Sequence, residues 1–205
     1  MSRFAIVALV ALLAVPSVAT GQDRRAYFGG SATVVTQTES DEVPLGGTTW
    51  GGSVLFGVEM SPRLAIEFET LFGGPYSWEY SYRPSPALTA DVVVTRRDTF
   101  FSGQARIRLG VIEPVLGLSY VHGRIGRHAT LGNTNTVYFD DSDSDGRVAL
   151  VAGLDAAVPL SPHVYFVPTF RVFAAPVDSP GNPLGDQTST GTFSFRYGAG
   201  LRIRF

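Results

Sequence analysis

The sequence contains no cysteine and no lysine among its 205 residues. The first absence excludes disulfides and a lipid-modified cysteine, even in an exported chain. The second makes every basic residue (Lys+Arg 16) an arginine, which suits buried ion pairs better than lysine does. Formal net charge is −2, so there is no electrostatic case for a nucleic-acid partner. Beyond Val15 no apolar run approaches the ~20 residues of a membrane helix. Phosphate-cradling glycine loops and zinc-ligand spacings are missing too, and no cofactor is expected. What the chain does have is glycine, at 23 residues, and aromatics, at 12%. That combination fits closed sheets of alternating strands with aromatic ends.

Residues 1–21 read as a signal peptide. Arg3 supplies the positive start, Phe4 to Val15 the apolar run, and Pro16 to Gly21 a small-residue cleavage region. Cleavage after Ala19 or Gly21 fits, with Gly21 preferred. This leaves 22–205 as one domain.

The last strand sets the pattern. From Phe193 to Phe205 every second residue is apolar, with Tyr197, Leu201 and Ile203 among them. Between them stand Ser194, Arg196, Gly198, Gly200, Arg202 and Arg204. A period of two places the sets on opposite faces, one suited to lipid and one to a polar lumen. Seven earlier segments read the same way: Ala26 to Val35, Gly47 to Met60, Leu64 to Phe72, Val93 to Leu109, Ile112 to Gly123, Arg147 to Val158 and Val164 to Phe173. Turns of about three residues alternate with loops of roughly ten to twenty, as in a small barrel crossing a membrane. The expected fold is all-β: an eight-stranded antiparallel up-and-down transmembrane barrel. A soluble calycin-type barrel is the competing fold, and it would place apolar residues inside.

This layout, with its terminal Phe205, resembles the OmpA/OmpX-like outer-membrane barrels, which include opacity-type adhesins. The resemblance implies a Gram-negative outer-membrane location, with termini in the periplasm and long loops outside. It implies outer-membrane lipid and lipopolysaccharide as surroundings. The barrel insertion machinery would read a C-terminal signal at Tyr197, Leu201, Ile203 and Phe205. A monomer is expected, with a structural or adhesin-like role in which the loops meet a surface ligand. The alternative is a narrow channel for small solutes.

Parity points Glu59, Glu67, Glu69 and Asp155 into the lumen with Arg106, Arg108, Arg171 and Arg196. An eight-stranded barrel is just wide enough for side chains to fill it, so these charges should pair as a plug or line a narrow conduit. Arg202 and Arg204 are expected nearer the mouth, hydrated. Asp141, Asp143, Asp145 and Gly146 match the opening of a calcium loop, but Ala152 stands where its bidentate Glu belongs. They read either as a solvated acidic loop tip or as a weak divalent-cation site. Ser119 and His122 differ by an odd number, so a regular strand sends them to opposite faces. No nucleophile–base pair assembles and no enzyme is expected. Finally, Tyr76, Trp78, Tyr80 and Tyr82 alternate in the second long loop. They suggest a hairpin continuing past the membrane, with exposed aromatics for a partner.

Overall fold

The computed structural model describes residues 25–37, 47–85, 88–131, 136–175 and 192–205. The signal-peptide and cleavage expectations lie outside them. The strands are β1 (Ala26–Gln37), β2 (Gly47–Ser61), β3 (Leu64–Gly73), β4 (Tyr76–Ser85), β5 (Leu88–Ile107), β6 (Ile112–Leu131), β7 (Thr136–Ala156), β8 (Val158–Pro159), β9 (Val164–Ala175) and β10 (Thr192–Arg204). Every pairing is antiparallel, and β10 pairs with both β9 and β1, which closes the ring. β4 continues β3 along β5, and β8 continues β7 along β9. The ring therefore has eight strands, two of them interrupted.

Inside and outside follow the period of two. Phe28, Phe68, Phe101, Leu116, Leu118, Leu150 and Leu201 are exposed on the outer face. Large apolar side chains in that number would be an aggregation hazard in water and are what lipid solvates. The competing soluble barrel is overturned by this. Charged residues fill the interior instead.

The short-turn end holds both described chain ends. The Phe205 amide donates to the Ala26 carbonyl at 2.9 Å, and the Arg204 amide to that of His163 at 2.8 Å. Gly110, at φ 78°, makes the β5–β6 turn, a conformation that favours glycine.

At the opposite end the strands run longer than expected. β5 and β6 have 20 residues each and β7 has 21. A strand needs only ~9–11 to cross hydrocarbon at a tilt. The excess forms a four-stranded sheet, β4-β5-β6-β7, standing above the ring. Its inner face has its own apolar cluster, Val92, Val94 and Ala129, with Trp78, Ile125 and Phe139 packed against it. From Thr136 to Ala149, β7 pairs only with β6 among the described residues; its pairing with β9 begins at Leu150.

Candidate functional site

The lumen is layered. Towards the short-turn end Glu67, Glu69, Glu113 and Asp155 meet Arg106, Arg171, Arg196 and Arg202, none more than 3% exposed. Arg106 is the hub. It donates to Glu67 at 2.6 Å, to Glu113 at 3.0 Å and also to Asp155. Arg171 donates to Asp155 at 3.1 Å, Arg196 pairs with Glu69 at 2.7 Å, and Arg202 donates to Glu113 at 2.6 Å. Gln104 bridges the groups, donating to Glu69 at 3.0 Å and accepting from Arg171 Nε at 3.2 Å. Named in order, the four carboxylates and four guanidinium groups balance. Removing charge from water costs several kcal/mol per ion, so this neutrality is what makes the burial tolerable. Glu59 sits closer to the mouth, 2.8 Å from both Arg108 and Arg204.

Arg202 thus departs from expectation. It is 1% exposed and packs on Tyr27, itself fully buried, whose ring centroid lies 5.1 Å from the Arg202 guanidinium. The Tyr27 hydroxyl donates to Glu67 at 3.1 Å. Across the strand pair stands Gly57, where a Cβ would collide with the Tyr27 ring. Gly57→Ala is therefore expected to push the ring off Glu67 and cost about 1–3 kcal/mol, an overpacking effect. Urea unfolding of the vesicle-embedded barrel measures it.

Above the charges lies an apolar layer of Val35, Leu71, Phe100, Val121, Ala149, Val151, Phe173 and Ala175. Phe100 and Phe173 meet at its middle, with ring centroids 4.7 Å apart. Above that comes a second polar set. Arg96 donates to Asp98 at 2.9 Å and to Asp145 at 3.1 Å, while Tyr76 donates to Gln37 at 2.7 Å. Burial and the nearby Asp98 carboxylate push the Tyr76 phenol well above its ordinary pKa.

The expected surface aromatics are repositioned accordingly. Gly73-Gly74-Pro75 interrupts the strand and inverts its parity, so Tyr76 turns inward and is 7% exposed. Trp78 stacks beside it, with centroids 6.0 Å apart, and covers the upper apolar cluster. Tyr80 is exposed at 39%; the Tyr82 side chain lies outside the described residues. Tyr76 and Trp78 hold the projecting sheet together.

Asp141, Asp143 and Asp145 lie on β7 instead of at a loop tip. Alternate residues on a strand stand roughly 7 Å apart, so the carboxylates do not converge as in a calcium loop. Each has its own engagement. Asp141 pairs with Arg127 at 3.6 Å, Asp143 accepts from the Ser144 amide at 2.7 Å, and Asp145 takes Arg96. Among the described residues no group of three or more His, Cys, Asp or Glu is placed to hold a metal. Ser119 faces the lumen and accepts from the Ser102 hydroxyl at 3.0 Å, while the half-buried His122 occupies the other parity. Residues 197, 201, 203 and 205 lie exposed on the outer face.

Glu113, Arg96, Asp98 and Arg147 are interior groups that the sequence reading overlooked. The signal was present, because Arg96 and Asp98 share the parity of Arg106, and Glu113 that of Ser119.

No family model matches the chain, and no curated protein does. Solved structures do. Ail, the attachment invasion locus protein of Yersinia pestis, solved with the heparin analogue sucrose octasulfate, matches at a TM-score of 0.56 with 13% identity, covering 90% of this chain and 100% of that one. A major outer membrane protein from Thermus thermophilus matches at 0.55 with 15% identity, covering 88% and 99%. With the closed ring, the lipid-suited outer face and the charged interior, these likenesses give the chain the fold of the small eight-stranded outer-membrane β-barrels.

Proposed function

We propose that this protein resides in the outer membrane with its short turns in the periplasm, and binds surface partners through the sheet β4–β7. The observation carrying this reading is the division of labour along the barrel. The lower half is filled twice over, by a neutral charge network and then by an apolar layer. The upper half extends well past the membrane and, among the described residues, leaves the edge of β7 away from β6 unpaired from Thr136 to Ala149. An unpaired edge can accept an extended segment of another protein through backbone hydrogen bonds. Ail is by its name an attachment protein, and its likeness in fold is consistent with such a role.

The alternative reading is a narrow channel. It has buried charges in its favour, but the Phe100–Phe173 contact lies across the path.

The test is adhesion. The chain is expressed in a non-adherent laboratory strain, alongside a variant in which 77–95 and 125–143 are each replaced by a two-residue turn. Wild type is expected to raise bacterial attachment to cultured epithelial cells. The shortened barrel, shown to be folded by heat-dependent gel mobility, is expected to lose that gain. Undiminished attachment by the shortened form would sink the reading.

A further inference from the structure

The interior arginines face carboxylates, but on the exterior two stand side by side, unpaired among the described residues. Arg97 on β5 and Arg124 on β6 are exposed and stand directly opposite each other in the antiparallel register. Cross-strand partners have Cβ atoms only about 5 Å apart, and like charges so placed repel. Among the described residues neither guanidinium has an ion-pair or hydrogen-bond partner. Both line an open groove of about 570 Å³ with Thr95, Gly126, Ser142 and Ser144. Asp143 also lines it, its carboxylate already engaged by the Ser144 amide.

The height of this pair matters. Down the same outer face, the row below is Thr99 and His122, and the next is Phe101 and Tyr120, both exposed aromatics. Below these the face is apolar through Leu118 and Leu116. Exposed Tyr and Phe at the top of such a band mark the lipid–water boundary. Four residues along a tilted strand raise Arg97 and Arg124 roughly 10 Å above that row. Headgroups occupy ~5–8 Å beyond the hydrocarbon on each side, and long arginine side chains reach back toward them.

We infer that Arg97 and Arg124 form a clamp for the phosphate of an outer-leaflet lipid, whose acyl chains run down the face past Tyr120 and Leu118. One phosphate bridging both guanidinium groups turns their repulsion into two charge-assisted hydrogen-bonding contacts, the planar fork being well matched to phosphate oxygens. The Ser142 and Ser144 hydroxyls supply further donors beside it. A lipid is favoured over free phosphate because the groove opens directly above the lipid-facing band. The clamp fixes the depth at which the projecting sheet leaves the membrane.

This inference rests on the membrane placement proposed above, and the experiment separates the two. The mature chain, 22–205, is refolded in detergent and titrated with bisphosphorylated lipid A, with dephosphorylated lipid A, and with inorganic phosphate. Bound lipid is counted by native mass spectrometry. Wild type is expected to hold the phosphorylated lipid roughly tenfold or more tighter than the dephosphorylated one. The double variant Arg97→Gln/Arg124→Gln is expected to lose that preference, while Arg63→Gln, in the β2–β3 turn, keeps it. Equal binding of both lipids by wild type overturns the clamp, as does an unchanged preference in the double variant. Competition by inorganic phosphate at the lipid's own concentration overturns the lipid assignment. Failure of the refolded chain to enter vesicles would instead count against the membrane placement. Heat-dependent gel mobility confirms that each variant is folded.

Discussion

Arg106→Met is expected to destabilise the barrel by about 3–5 kcal/mol, the cost of leaving buried ionic partners uncompensated. Arg106 alone reaches Glu67, Glu113 and Asp155 from its position on β5. Glu113 and Asp155 retain Arg202, and Asp155 also retains Arg171, but Glu67 would be left with only the Tyr27 hydroxyl. Arg106→Lys keeps the charge but not the planar fork, so it should fall between wild type and the methionine variant. Adding Glu67→Gln to Arg106→Met should recover part of the loss, since it removes the stranded charge. Urea unfolding from vesicles, followed by tryptophan emission, measures all three. A methionine variant as stable as wild type would mean that water replaces the guanidinium and the network is not what holds the lumen.

Planar bilayers carrying the refolded chain are expected to stay at baseline current. Two barriers lie in series: the tightly paired charges leave no free path, and the apolar layer around Phe100 and Phe173 has no groups to solvate an ion. Phe100→Ala alone should therefore also remain silent, because the Arg106 network persists beneath it. Stable discrete openings in wild type, altered by Glu67→Gln or Arg106→Gln, would establish conduction and move the functional weight from the projecting sheet to the lumen.

The barrel itself was legible because lipid on one side and charge on the other give the strongest alternation a strand can carry. Glu67, Glu69, Arg106, Asp155, Arg171 and Arg196 all stand where parity places them. The projecting sheet was harder to see. Above the membrane the outer face meets water, so Thr95, Arg97, Ser142 and Ser144 are polar, while Val92, Val94 and Ala129 turn inward. The apolar parity changes face at the membrane boundary, and a segment such as Asp140 to Gly146 then reads as loop by composition. Tyr76 was misplaced for a different reason. Gly73-Gly74-Pro75 inserts a break whose effect on parity depends on its backbone path, and residue types alone do not specify that. The burial of Arg202 involves a contact with Tyr27, far away in sequence, that parity alone does not specify.

The lower charge network draws a side chain from each member of the ring: Tyr27 from β1, Glu59 from β2, Glu67 and Glu69 from β3, Arg106 from β5, Glu113 from β6, Asp155 from β7, Arg171 from β9 and Arg202 from β10. Without β10 the buried set does not balance: Glu67, Glu69, Glu113 and Asp155 stand against Arg106 and Arg171 alone. Before β10 meets β1, Arg196 and Arg202 travel with one terminus while Glu67, Glu69 and Glu113 wait on strands laid down earlier. An unclosed sheet therefore carries raw charge on the face that must become its interior, and only the final seam neutralises it. The same residues that seal the finished lumen make the last pairing step the one that commits the chain, so a barrel missing its closing strand has little reason to persist in lipid.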